Sequence, residues 1–178
     1  MKICIGGFAS SGKTTFGEAL ARELNVRHIH STYKGMVNND DRSIIKLLDG
    51  LTAKHDKKTA KSFDSEVVKE SDKGDCVIST WLGAWIVKDA TVRVWLDATQ
   101  EERAKRRAHI NNMKKMEALE FIKAYDAANI KYFKDVYKID VTDHSIFDIA
   151  LNTERMHLDE MVGIVSLLAA QRDVNRFG

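Results

Sequence analysis

A chain of 178 residues with 28 basic and 26 acidic side chains, a formal charge of +2, is sized for one domain with a substantial core. It has no overall field that would draw it to nucleic acid or to a charged membrane surface. Hydrophobic residues make up 44% of it, yet no stretch nears the roughly 20 apolar residues of a membrane span and no apolar leader precedes the strand-like run at Lys2, so a cytoplasmic protein is expected.

Proline is absent and there are ten glycines, so glycine and clusters of Asn, Asp and Ser must punctuate the chain. Residues 2–6, Lys-Ile-Cys-Ile-Gly, form the short apolar run of a buried parallel strand. Phe16, Ala19, Leu20 and Leu24 then recur at helical spacing, which predicts a helix from Lys13 to Asn25. Val26 to His30 reads as a second short strand. From Ser31 to Asp75 the chain turns polar and lysine-rich, with apolar positions scattered as in short surface helices, the pattern of an insertion on a sheet.

Cys76 to Ile78 and Val92 to Leu96 are the next two strands, with Trp81, Trp85, Ile86 and Val87 between them suiting a helix packed on the sheet. Glu101 to Val136 is charged and largely helical, broken near Asn111 and Asn112, with Ile122, Tyr125, Asn129, Tyr132 and Val136 along one stripe. Such a helical hairpin suits a mobile lid. Ile149 to Leu151 predicts a last strand, and Met161, Val162, Val165, Leu168 and Ala169 a closing amphipathic helix. Alternating strands and helices imply an α/β protein with a parallel sheet. Cys4 and Cys76 both fall inside apolar runs and read as buried thiols; a disulfide between them is the alternative if their strands adjoin.

Gly7-Phe8-Ala9-Ser10-Ser11-Gly12-Lys13-Thr14 fits G-x-x-x-x-G-K-[ST] at every defined position, with a strand before it and a helix after. In such a loop the glycines let the backbone curl, so that its N–H groups and the helix N-terminus converge on phosphates. Gly7, Ala9, Ser10, Ser11, Gly12 and Thr15 are therefore expected to cradle ATP. Lys13 would reach the β- and γ-phosphates and Thr14 would hold Mg²⁺ through its hydroxyl.

With this loop, the block from Cys76 to Val87, the run Val92-Arg93-Val94-Trp95-Leu96 and Arg103-Ala104-Lys105-Arg106, the chain resembles the small archaeal-type cytidylate kinases. Tyr137 to Asp140, Asp143, Phe147-Asp148 and Asn152-Thr153 keep the family's order and spacing to the end. The resemblance implies a P-loop NTPase three-layer sandwich, 1–178 as a single kinase-like domain, and a five-stranded parallel sheet of order 2-3-1-4-5. It also implies an acceptor-binding insertion at about 31–72, a lid at about 101–133, and phosphoryl transfer from ATP to a pyrimidine monophosphate. Arg103 and Arg106 match the family's lid arginines, and Asn152 and Thr153 lie where the family holds the ATP base.

The chain departs from that family at recognisable places. Ser79-Thr80-Trp81 stands where the family has Glu-Gly-Arg, Tyr125 and Tyr132 stand at lid positions that tend to be arginine, and Ser31 to Asn38 offers Lys34 but no arginine. These changes predict a weaker hold on CMP than the resemblance implies.

The remaining candidates carry bland readings beside the sharp ones. Arg103, Arg106 and Arg107 begin the lid-like helix, but Glu102 and Arg106 also form an ordinary i,i+4 pair. Asp97 reads as a holder of a magnesium-bound water or as an acid at a helix N-terminus beside Thr99. His28 and His30 share one face of a strand, too few ligands for a metal site alone. Trp81, Trp85 and Trp95 suit base stacking or packing. The lysines at 54–58 and 114–115 read as solvated faces, so no nucleic-acid partner is expected. ATP with a small acceptor, in a monomer or weak dimer, is the expected set of partners. A kinase with a non-nucleotide acceptor and a non-catalytic nucleotide-binding regulator are the rival readings.

Overall fold

The computed structural model of this protein describes residues 1–30, 41–53 and 57–174. The acceptor segment Ser31 to Asn38, with Lys34, and residues 54–56 of the lysine patch lie outside the described residues.

Strand β1 (Lys2–Gly6) leads through the glycine loop into helix α1 (Lys13–Glu23) and strand β2 (Arg27–His30). Helices α2 (Asp41–Ala53) and α3 (Lys57–Ser71), strand β3 (Cys76–Ser79), the one-turn helix α4 (Gly83–Ile86) and strand β4 (Val92–Asp97) follow. Helix α5 (Gln100–Asn111), helix α6 (Lys115–Tyr132), a π-helical turn at Phe133–Tyr137, strand β5 (Ile149–Asn152) and helix α7 (Leu158–Val174) complete the order. The five strands form one parallel sheet of order β2-β3-β1-β4-β5, as the family resemblance implies.

The chain divides into two compact units, one of residues 1–31, 64–98 and 145–178, the other of residues 32–63 and 99–144. In the first, β1 is central and covered on both sides, which is why its sequence is a continuous apolar run and not an alternating one. Ile3 and Ile5 point into a core shared with Phe16 and Leu20 of α1 and Met161, Val162 and Val165 of α7. Cys4, between them, points the other way, toward Cys76, Ile78, Ala84, Val87 and Val67 of α3. Two hydrophobic layers on opposite faces of one sheet make the three-layer arrangement.

Cys4 and Cys76 do sit on adjacent strands, but Cys4 pairs in register with Ile78 and Cys76 with Lys2. Both thiols are free and buried. Helix α1 stops two residues earlier than its apolar spacing predicts, because Asn25 takes a left-handed φ of 51° that turns the chain into β2.

In the second unit the break foreseen at Asn111 and Asn112 is a C-cap: Asn112 adopts φ 49°, ψ 50°. Thr99 caps the other end of α5, its hydroxyl accepting from the N–H of Glu102. The stripe Ile122, Tyr125, Asn129, Tyr132 and Val136 is wholly buried, and α6 packs against both α5 and α2. The helical pattern passes into a π turn at Phe133–Tyr137, a local widening that apolar spacing does not reveal.

Candidate active site

The loop between β1 and α1 is shaped by three residues with positive φ: Gly7 at 147°, Ser10 at 61° and Gly12 at 99°. Gly7 is doubly required, since a Cβ there would stand 2.7 Å from the carbonyl oxygen of Leu96 and 2.6 Å from Ser11 Oγ. Gly12 is different. A Cβ at Gly12 would meet nothing within 4 Å, so its backbone faces open space, and as N-cap it gives α1 no side-chain hydrogen bond. The first-turn N–H groups of a helix have no acceptor within it, so this end of α1 suits an anion. Thr15 is exposed beside it, and Ser10 and Ala9 are partly exposed along the loop.

Lys13 lies back along the loop, its Nζ donating to the carbonyl oxygens of Gly7 at 2.7 Å and Phe8 at 2.9 Å. The same ammonium stands 5.1 Å from the centroid of the Trp81 ring. Phe8 packs edge-on against Trp81 and Trp95, with centroids 5.7 and 5.6 Å apart. Trp95 is 2% exposed and also abuts Phe147, so it belongs to the core. Trp85 likewise packs on Phe147. Trp81, only half-buried, is the tryptophan that faces the Lys13 ammonium.

Behind the loop is a histidine pair whose role the sequence pattern did not disclose. His28 Nε2 sits 2.7 Å from Ser79 Oγ, in space that exists because residue 17 is glycine: a Cβ there would come within 2.5 Å of that nitrogen. The His30 ring stacks on His28, centroids 6.0 Å apart, and its Nε2 is 3.0 Å from Thr14 Oγ1. Burial pushes both imidazoles below their ordinary pKa; His30 adds to this at His28, and at His30 the pull of Glu18 opposes a further push from Lys13. Their alternation signalled a shared face; only the fold puts that face against Thr14. Among the described residues no three His, Cys, Asp or Glu side chains gather as a metal cluster.

Asp97 ends β4 with its side chain exposed, while its carbonyl oxygen accepts from the N–H of Thr153 at 2.9 Å and from Thr153 Oγ1 at 3.1 Å. Asn152 Oδ1 accepts from the N–H of Glu154, closing a tight turn after β5. Thus Asp97 and the pair Asn152-Thr153 meet at the carboxyl ends of adjacent strands, on the edge where open parallel sheets bind ligands. Helix α5 is capped by Thr99, which leaves Asp97 outside the capping role.

The lid-type arginines belong to the second unit. Arg103 is buried and bound to Asp126 of α6 through two hydrogen bonds, at 3.1 and 2.6 Å. Arg106 is partly exposed, with Nε 3.5 Å from Glu102. Arg107, buried above the Phe121 ring at 4.9 Å, has its pKa lowered by burial. Tyr125 and Tyr132 are buried too, Tyr125 stacked on Phe121 and Tyr132 packed on Phe133 and Tyr137. Both tyrosines, at positions where the resemblance expects arginine, are thus packed into the interior of their own unit. No described helix is long and apolar enough to cross a membrane.

Among solved structures, an uncharacterized protein from Eubacterium ventriosum superposes with a TM-score of 0.71 at 18% identity, over 96% of this chain and 98% of that one. A shikimate kinase from Bacteroides thetaiotaomicron gives 0.54 at 19% identity, over 94% and 97%. At such identities these likenesses establish the fold alone. Sequence relatives reach further. Cytidylate kinases from Ignicoccus hospitalis and Thermococcus kodakarensis are 32% and 31% identical, aligned over 90% and 92% of this chain and 94% and 84% of their own lengths. The Sulfurisphaera tokodaii cytidylate kinase is 29% identical over 93% of both chains. The sequence model of the cytidylate kinase-like family matches residues 30–155, from the end of β2 to the turn after β5, and the chain belongs to that family.

Proposed function

We propose that this protein transfers the γ-phosphoryl group of ATP to a small phosphorylated acceptor, a nucleoside monophosphate of the CMP kind. The observation that carries the reading is the loop Gly7 to Thr14, strand before and helix after, with Lys13 and Thr14 at the mouth of α1. In it the backbone from Gly7 to Gly12 cradles the phosphates, Lys13 swings from the Gly7 and Phe8 carbonyls to the β- and γ-phosphates, and Asn152 with Thr153 borders the adenine. An acceptor phosphate is already ionised at neutral pH, so no general base is required.

Thr14 fits a Mg²⁺ site in its chemistry: a hard oxygen donor, partly exposed, at a helix N-terminus that opens on free space beyond Gly12. When bound there the ion would screen the charge of the phosphates. Arg103 and Arg106 are the lid cations of this reading, with about 31–72 as the acceptor-binding insertion and about 101–133 as the lid. The family relatives support a cytidylate-type acceptor. A cytoplasmic protein, monomeric or weakly dimeric, is part of the same reading.

One observation favours a second reading. Trp81 presents an aromatic face beside Lys13 at the position where the resemblance expects an acceptor-binding arginine, and a ring in that place suits an acceptor that is aromatic and unphosphorylated. The test is ADP release from Mg²⁺-ATP with CMP, UMP, AMP, unphosphorylated nucleosides and small metabolites side by side. Turnover with a monophosphate supports the first reading. Turnover confined to unphosphorylated acceptors selects the second, and tight ATP binding without acceptor-dependent ADP release leaves a nucleotide-binding regulator.

A further inference from the structure

Thr14 has a partner that the phosphate-loop motif does not specify. His30 Nε2 stands 3.0 Å from its hydroxyl oxygen, at the end of β2, which lies beside β3 at the edge of the sheet formed by the described strands. The ring is braced from behind. His30 stacks on His28, and His28 is fixed by Ser79 Oγ at 2.7 Å and by the room that Gly17 leaves. The register His30↔Ser79 carries this column of side chains from β3 through β2 to the first turn of α1.

A threonine hydroxyl has one hydrogen and two lone pairs. For a hard cation to sit on the oxygen, the O–H must point away from it, and an acceptor has to be waiting there. A neutral imidazole with its proton on Nδ1 offers Nε2 as that acceptor. Were the proton on Nε2, the ring would instead donate to the oxygen and occupy one of its lone pairs.

We propose that His30 is a positioning residue for the Thr14 metal ligand: by accepting the Thr14 O–H through Nε2, it turns the oxygen lone pairs toward a divalent cation bound with the nucleotide phosphates. The inference rests on the ATP and Mg²⁺ reading of the loop. In this role His30 acts through the Thr14 hydroxyl and not by contact with the phosphates or the reacting atoms.

The test is the affinity of the protein for ADP, measured by calorimetry in EDTA and again in Mg²⁺, with the ratio of the two as readout. His30→Ala and the longer apolar His30→Leu should each cut the Mg²⁺-dependent gain about three- to tenfold, the range one hydrogen bond supplies. His30→Gln, whose amide oxygen reaches a similar point, should restore most of it. In a Thr14→Val background, His30→Leu should leave the ratio where Thr14→Val put it.

A ratio undiminished in both apolar variants overturns the proposal, as does an equal fall of both affinities, which is what a merely structural ring would cause. A parent protein that binds ADP with no gain from Mg²⁺ overturns something else: the assignment of Thr14 as a metal ligand. The two failures are therefore distinguishable.

Discussion

Arg103 donates through both Nη atoms to the two carboxylate oxygens of Asp126, at 3.1 and 2.6 Å, with both side chains buried between α5 and α6. Gln100 Nε2 donates to the same carboxylate at 3.1 Å. A planar guanidinium held at two points has its direction fixed, so the residue that reads in the sequence as a lid arginine pins α5 to α6.

Removing one partner leaves the other charged and buried. Asp126→Ala should destabilise the protein by about 3 to 5 kcal/mol in urea unfolding, whereas Arg103→Met with Asp126→Leu should recover most of that loss. If Arg103 works only as a pin, the double variant recovers ADP release along with stability; in the proposed role of lid cation it stays impaired. A stability loss under about 1 kcal/mol for Asp126→Ala would show that the pair does not hold the helices together.

Burial pushes the Cys4 thiol up to about 12 from an ordinary value near 9, and raises Cys76 as well. The folded state therefore keeps its proton on Cys4 between pH 9 and 12 while the unfolded state loses it. The contribution to stability is full below about pH 9 and is lost as the pH rises toward 12. At pH 8 a thiol reagent should label Cys4 no faster than the protein unfolds, and labelling in the folded state at the rate of a free cysteine would refute its burial.

Lys13→Ala should lower turnover by about 10² to 10³-fold, the scale of losing one preorganised cation or donor at a phosphoryl-transfer site. A folded variant with the parent's ATP affinity and turnover would end the phosphate-loop assignment. Because Lys13 rests on the Gly7 and Phe8 carbonyls, its removal takes away hydrogen bonds of the free loop too, so melting temperatures need to be compared alongside.

Much of the fold was legible because it rests on local rules. The apolar run at Lys2 to Gly6 reads as buried on both faces, and Asn112 breaks the hairpin because asparagine tolerates a left-handed φ. The loop was legible because glycine at 7 and 12 is forced by backbone geometry. What escaped depends on contacts between residues far apart in sequence. Nothing in the order of residues says that Arg103 meets Asp126, that Tyr125 and Tyr132 turn inward, or that His28 needs Gly17 to be bare. The π turn after Tyr132 escaped for a different reason: its helical register shifts without any change in apolar spacing.

In the proposed reading Trp81 borders the acceptor, and the prediction for it follows from Lys13. The ammonium lies 5.1 Å from the indole centroid, and Phe8 packs on the same ring in a T-shaped contact, centroids 5.7 Å apart. An indole attracts a cation through its π face but gives a dianionic phosphate no formal charge to pair with. Trp81→Arg would set a second cation beside Lys13, a repulsive neighbour unless an anion sits between them. An acceptor phosphate is such an anion. The variant should therefore lose stability while empty and regain it when CMP is added, with the KM for CMP falling about tenfold or more, because one charge-assisted hydrogen bond contributes on the order of 1.5 to 3 kcal/mol. Trp81→Phe, which keeps an aromatic face and adds no charge, should leave the preference among acceptors as it is in the parent. ADP release across CMP, UMP, AMP and unphosphorylated nucleosides, with melting curves with and without CMP, measures both effects. A parent KM for CMP already in the micromolar range, or an arginine variant no better with CMP and no more stabilised by it, would show that the acceptor phosphate is held somewhere other than beside Trp81.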